Sequence, residues 1–183
     1  MNKKKITLMV TLIFSVFLLI SEYRGDPSVF PLDKVKPSTT VVSQKEGFYL
    51  VTRVVDGDTI EVTKNGVKEK VRLLGINTPE TVDPRKMVEC FGKEASAHAK
   101  ELLAGKQVKI VSDDSQTKYD KYGRLLAYVY TEEGLFVNKH MIEEGYAYEY
   151  TYNVPYIFQK EFKEAQKKAE TEGRGLWGEG VCE

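Results

Sequence analysis

Residues 49–62 read YLVTRVVDGDTIEV, and residues 71–80 read VRLLGINTPE. The first stretch is two runs, 49–55 and 59–62, rich in β-branched and aromatic residues and separated by Asp56-Gly57-Asp58. Runs of that composition fit a pleated, half-buried surface, and an Asp-Gly-Asp break between them predicts two strands with a turn. Lys64-Asn65-Gly66 then supplies an Asn-Gly hairpin signal, and residues 71–76 give a third strand, so a three-stranded meander is expected.

Beyond the meander the period changes. Residues 92–103 place Ala95, Ala99, Leu102 and Leu103 on one helical face, with Gly105 as the stop. Residues 108–111 and 125–130 read as short strands, and 137–144 as a short helix ended by Gly145. The longest helix is expected over 155–171, with Phe158, Phe162, Ala165 and Ala169 on one stripe and Gly173 and Gly175 ending it. Leu176-Trp177 is expected to fold back onto the strands. The order is three strands, helix, two strands, helix, helix, without internal repeats. It predicts an α+β fold: a five-stranded OB-fold β-barrel with three α-helices.

The chain has 183 residues, 42% hydrophobic and 30% charged, which fits one domain with a buried core plus a terminal appendage. Lys3, Lys4, Lys5 and Arg24 face only Glu22 in the first 24 residues. That segment therefore carries a net +3, and the formally neutral chain leaves −3 for the remainder. A slightly acidic body speaks against a coat protein that holds nucleic acid by charge alone, and permits an enzyme with a local cationic pocket. His98 and His140 read as surface or helix-face residues, and no CxxC or HExxH spacing exists, so zinc chemistry has no ligand set in the sequence. Cys90 and Cys182 could pair in an oxidising compartment, where a link would tie the tail to the barrel; their spacing alone does not show it.

Residues 1–25 hold a basic start followed by a charge-free, mostly apolar run over 6–20, and read as an export signal. Fifteen residues are short for a spanning helix, yet no small-x-small cleavage site follows, so a cleaved leader and a retained membrane anchor both stay open. No cysteine lies nearby, which excludes lipoprotein processing. Either way the protein is expected outside the cell, secreted or held on the outer face of the membrane. Residues 26–46 carry Pro27, Pro31 and Pro37 with Ser38, Thr39 and Thr40, and read as an extended tether to a folded domain over 47–183.

Three segments put unusual polar residues at expected strand ends: DGDT at 56–59, RLLGINTPE at 72–80 and DKYGRLLAY at 120–128. An arginine inside an apolar run is an edge or a pocket residue, and Asn-Thr-Pro-Glu turns the chain out of the sheet while exposing a carboxylate. Taken together, in this order and spacing, the three resemble the thermonuclease (staphylococcal nuclease) family, over roughly residues 48–177. GKEAS in the first helix and GLW near the end belong to the same likeness.

The resemblance implies a calcium-dependent (Ca2+) endonuclease acting on DNA and RNA and leaving 3′-phosphate ends. It implies Asp58 as a metal ligand, with Asn77 at the position of a second metal-binding aspartate and the Thr78 carbonyl facing the metal. It implies Glu80 as the group that activates or orients water, and Arg72 and Arg124 as the grip on the phosphate. Tyr122 resembles the tyrosine beside the nucleotide, and Tyr150 and Tyr152 look like a Tyr-x-Tyr pair near substrate, with a different loop length. Asp56 is expected to support the metal indirectly. An amide at 77 removes one charge from the site, which implies weaker calcium binding. The rival reading is a catalytically silent OB-type module that binds nucleic acid or protein; a membrane-surface structural protein explains none of the motifs. No protein partner is implied, and a monomer is expected.

Overall fold

The computed structural model describes residues 47–64, 66–81, 83, 85 and 87–182, all within the unit Ser43–Glu183. The expected export signal over 1–25 and tether over 26–46 lie outside the described residues, as does Asn65 of the expected hairpin. In chain order the elements are β1 (Phe48–Val54), β2 (Thr59–Lys64), β3 (Val67–Leu73), β4 (Ile76–Asn77), α1 (Gly92–Leu103), β5 (Gln107–Val111), β6 (Leu125–Thr131), α2 (Val137–Glu143), β7 (Tyr148–Glu149) and α3 (Gln159–Glu172). A 3₁₀ turn over Gly175–Trp177 follows.

The meander is antiparallel, with Val54 opposite Ile60 at the first turn and Thr59 opposite Arg72 at the second pair. β5 runs antiparallel to both β1 and β6, and β6 runs parallel to β3, pairing Val71 with Leu125 and Arg72 with Leu126. The result is a closed barrel in the order β1-β2-β3-β6-β5. A parallel pair needs a long crossover, and α1 with β5 supplies it between β3 and β6. This is the five-stranded barrel with three helices that the sequence predicts. Val51, Ile60, Val62, Val71, Leu73 and Val108 fill its interior, each almost fully buried. Tyr128, Phe136, Phe158 and Phe162 form an edge-to-face and stacked cluster between β6, α2 and α3.

The third strand begins at Val67 and not at 71, because it pairs with β2 from Val67 opposite Lys64 onward. Two further boundaries differ from expectation for one reason. The expected third strand over 71–76 stops at Leu73, bends at Leu74 and Gly75, and resumes as β4. Gly75 has φ of +78°, and a Cβ there would sit 2.6 Å from the Tyr156 ring and 2.9 Å from that of Phe162, so no larger residue fits. The side-chain alternation of a regular strand is lost: Leu73, Leu74 and Ile76 are all buried. Correspondingly α3 starts at Gln159 and not at 155, because residues 155–158 are held by tertiary bonds. The Tyr156 hydroxyl donates to the Gly75 carbonyl at 3.2 Å, and the Ile157 N–H donates to Asp113 Oδ2 at 2.9 Å. β4 then pairs with β7, a contact that the sequence reading lacks.

Two buried polar side chains lock this arrangement. Asn138 on α2 accepts the Val129 N–H at 2.9 Å and donates to the Leu74 carbonyl at 2.8 Å, tying α2 to β6 and to the bend after β3. Asp113 accepts from the Tyr128 hydroxyl (2.6 Å), the Ile157 N–H (2.9 Å) and both the N–H and hydroxyl of Ser115 (2.8 and 2.6 Å). Cys90, just before α1, and Cys182, after the 3₁₀ turn, place their sulfurs at bonding distance with Cα atoms 5.7 Å apart.

Burial pushes the Asp113 carboxyl up, but its four hydrogen bonds outweigh burial and hold it below the ordinary carboxylate range. A depressed folded-state value stabilises the fold above the unfolded value near 3.9 and is lost as pH falls through the folded one. Asp113→Asn should therefore cost about 2–4 kcal/mol near neutral pH, by loss of charge-assisted bonds. Urea unfolding across pH 2–7 should show the gap between variant and parent narrowing as pH falls below the unfolded value near 3.9.

Candidate active site

The turn between β1 and β2 is where the site begins. Asp56 Oδ1 accepts the Asp58 N–H at 3.1 Å, an Asx turn that Gly57 permits; a Cβ on Gly57 would lie 2.6 Å from the Thr78 side chain. Asp58 is 5% exposed, and a carboxylate so placed needs donors to offset its desolvation. It has four. Thr59 Oγ1 donates to Oδ1 at 3.0 Å; the Thr78 N–H and hydroxyl donate to Oδ2 at 2.8 and 3.1 Å; Arg72 Nη2 lies 3.1 Å from Oδ2.

Arg72 is the edge-or-pocket arginine of β3. Its Nη1 donates to the carbonyls of Leu73 and Ile76 at 2.9 and 2.8 Å, and Nη2 donates to Asn77 Oδ1 at 3.1 Å. The bend at Leu74–Gly75 is what returns the Ile76 carbonyl to it. Arg124 stands at the entrance to β6, one residue before the parallel pair with β3 begins. Asp120 aims it: Oδ2 accepts Arg124 Nε at 2.7 Å, while Oδ1 accepts the N–H groups of Tyr122 and Arg124, both at 2.9 Å. Arg124 Nη1 also reaches Thr59 Oγ1 at 3.4 Å, and its guanidinium sits 5.4 Å from the Tyr122 ring centroid. A chain of contacts thus runs Arg72–Asp58–Thr59–Arg124.

Glu80 follows β4. Its Oε1 accepts the N–H groups of Thr81 and Asp83 at 2.8 and 3.0 Å. Glu89 clamps its backbone from both sides, Oε2 accepting the Glu80 N–H and the Glu89 N–H donating to the Glu80 carbonyl, each at 2.9 Å.

Asp56, Asp58, Arg72, Asn77, Thr78, Glu80, Tyr122 and Arg124 line one cavity of about 400 Å³, together with Pro79, Asp83 and Arg85. Tyr150 and Tyr152 do not line it. They are exposed, with ring centroids 6.4 Å apart, and lie near Lys121 beside Tyr122. The sequence reading missed Asp120, Glu89, Asp83 and Arg85. Asp120 had a local signal, an acid four residues before an arginine in a Gly-containing turn; the others are brought in by loop geometry that no spacing reveals.

The electrostatics separate the carboxylates. Burial, then the like charge of Asp58, raises the Asp56 carboxyl to about 6. Burial also works against Asp120, but its bonds from Arg124 and Tyr122 hold it below the usual range. Two crowded carboxylates beside an amide oxygen and hydroxyls form an oxygen-only donor set, which fits a hard divalent cation. Among the described residues no three His, Cys, Asp or Glu side chains converge as a metal cluster, so Asp58 and Asn77 would share such an ion with backbone oxygen and water, Asp56 supporting it indirectly.

A family model described as staphylococcal nuclease homologue matches residues 70–179. The chain is 33% identical to a thermonuclease of Staphylococcus hyicus over 175 residues, 96% of this chain and 98% of the relative. It is 37% identical, over the same shares, to a thermonuclease of Staphylococcus intermedius, and 40% identical to the endonuclease YncB of Bacillus subtilis over 68% of this chain and 59% of that one.

The donors on Asp58 can be tested one at a time. Thr78→Val keeps the shape and the N–H but removes one of the two bonds that Thr78 donates to Oδ2, and should cost about 1–3 kcal/mol. Denaturant unfolding of both proteins measures it. With that carboxylate at its centre and the three polar segments around it, the chain belongs to the staphylococcal nuclease family.

Proposed function

We propose that this protein is an exported, calcium-dependent endonuclease that hydrolyses phosphodiester bonds of DNA and RNA, leaving 3′-phosphate ends. The observation that carries the reading is the single cavity lined by Asp58, Glu80, Arg72 and Arg124. The names of the relatives, thermonuclease and endonuclease, support it.

In this reading Arg72 and Arg124 bind the non-bridging oxygens of one phosphate from two sides. Guanidiniums stay charged at any relevant pH and match phosphate geometry bidentately. Both are already fixed, Arg72 by two carbonyls and Asn77, Arg124 by Asp120, so little reorganisation accompanies charge build-up on the phosphoryl oxygens. Glu80 takes a proton from the attacking water as its oxygen bonds to phosphorus; the bond to the 5′-oxygen breaks, that oxygen takes a proton from solvent and leaves as a hydroxyl, and Glu80 returns its own proton to solvent. The Glu80 carboxylate is oriented for this by the N–H groups on its Oε1. Asp58, with Asn77 and the Thr78 carbonyl, would hold calcium, which when bound offsets negative charge on the phosphoryl group. Tyr122, Tyr150 and Tyr152 offer exposed ring faces on which any base can stack, in keeping with a substrate range that includes both nucleic acids.

Export is read from Lys3, Lys4 and Lys5 followed by the apolar run over 6–20, and a Cys90–Cys182 link suits an oxidising exterior. No helix among the described residues is long and apolar enough to cross a membrane, and retention or release of the leader decides between anchoring and secretion.

Purified protein should cleave single- and double-stranded DNA and RNA with calcium and stop with chelator. Glu80→Gln and Arg124→Ala should each lower kcat by about 10²–10⁴-fold while circular dichroism stays unchanged. Folded variants with parental activity would remove these roles, and binding without cleavage by the parent would favour the silent module. Asn77→Asp restores a carboxylate beside Asp58 and should shift the half-maximal calcium concentration down by roughly tenfold. A calcium titration of the rate reads this directly.

A further inference from the structure

The two histidines of the chain lie 42 residues apart in sequence, and the fold brings them together. His98 is on α1 and His140 in the last turn of α2, and their Nε2 atoms are 3.2 Å apart. The rings tilt 31° to one another with centroids 5.4 Å apart. His98 is held by the face of Tyr146, stacked at 4.1 Å and 15°, and Tyr146 stacks in turn on Phe91 at 5.5 Å. Both rings are partly exposed, and neither lines the carboxylate cavity.

Two imidazole nitrogens this close share one hydrogen: one ring donates Nε2–H and the other accepts. Burial, then the nearby His140, disfavours the charged form of His98, and a neutral imidazole leaves a lone pair to face the gap. The spacing also has a second meaning. With metal–nitrogen bonds of about 2.0–2.1 Å, the edge of a tetrahedron between two imidazole ligands is about 3.3 Å. The two nitrogens already stand at that separation, so small ring rotations suffice to replace the shared hydrogen by an ion.

We propose that His98 and His140 form a two-histidine site for a borderline transition-metal cation, Zn2+ or its neighbours Ni2+ and Cu2+, that staples α1 to α2. Paired imidazoles select such ions over Ca2+ and Mg2+, which take oxygen. Among the described residues no third His, Cys, Asp or Glu completes a cluster, so water fills the remaining positions and the site is open and exchangeable. Glu101, one turn along α1, and Glu144, one turn beyond His140 and paired with Arg174 at 2.9 Å, add a favourable field for a cation.

The test is a zinc titration of chelator-treated full-length protein by calorimetry, with thermal unfolding and imidazole NMR in parallel. The oxygen-lined cavity is a competing place for zinc, so Asp58→Ala is titrated alongside His98→Ala and His140→Ala. One zinc event should survive Asp58→Ala and weaken about tenfold or more in each histidine variant, and zinc should raise the unfolding midpoint of the parent and of Asp58→Ala but not of the histidine variants. Should the histidine variants misfold, the parent still answers, because zinc at this site must shift the His98 and His140 ring resonances. Unmoved ring resonances, or a zinc event lost in Asp58→Ala and kept in folded His140→Ala, would overturn the proposal.

Discussion

The carboxylate of Asp58 is the point on which the rest of the site depends. Taking an ionised carboxylate out of water costs several kcal/mol unless donors replace the lost hydration. The donors come from three separate places: Thr59, the next residue and the first of β2, Arg72 across the β2–β3 pair, and Thr78 after β4. None is a neighbour by local geometry alone except Thr59. The barrel must close, and the chain must bend at Gly75, before Thr78 can approach. One buried charge thus couples the turn after β1, the middle of the barrel and the segment that ends in Glu80.

The two arginines occupy different electrostatic positions. Arg72, with an 11% exposed side chain, is offset by Asp58 and neutral oxygens; Arg124, 27% exposed, is offset by Asp120, with Thr59 and the Tyr122 ring beside it. A buried ion pair contributes little net stability, because desolvation nearly cancels the attraction. Its role is better read as fixing direction. Nη1 of Arg72 is committed to the backbone of β3 and β4, which orients the planar guanidinium towards the cavity without help from a ligand. For Arg124 the same work is done by the Asx turn of Asp120, whose other oxygen shapes the loop that carries Tyr122.

The barrel was legible in the sequence because its strands are short β-branched runs with turn residues between them, and its helices carry clear stripes. The errors fall where tertiary contacts override local pattern. Residues 74–76 read as strand by composition, yet aromatic rings from 156 and 162 press on Gly75 and break the alternation. Residues 155–158 lie on the helical stripe, yet Asp113 and Gly75 hold their polar groups outside the helix. The motif residues of the site were legible because three short strings carry them. Glu89, Asp83 and Arg85 were not, since the sequence after Glu80 has no period to read. The histidine pair is the same lesson in reverse: spacing rules for zinc motifs see only local ligands, and these two meet only after α1 packs near α2.

The charges that line the cavity bear on how the site works under the proposed reading. Asp56, Asp58, Glu80 and Asp83 face Arg72, Arg85 and Arg124, so with every group ionised the lining is net negative. That field alone repels a phosphodiester, and the slightly acidic body of the protein does not correct it. A bound divalent cation reverses the sign. The burial and the neighbouring charge of Asp58 that raise Asp56 to about 6 belong to the same balance, since a positive charge placed beside Asp56 lowers it. Cation binding and phosphate binding are therefore linked through these carboxylates: whatever favours one favours the other, and by linkage the effect is reciprocal. Non-specific attraction between a basic surface and nucleic acid is thus unnecessary to this site, because the attractive charge arrives with the cation.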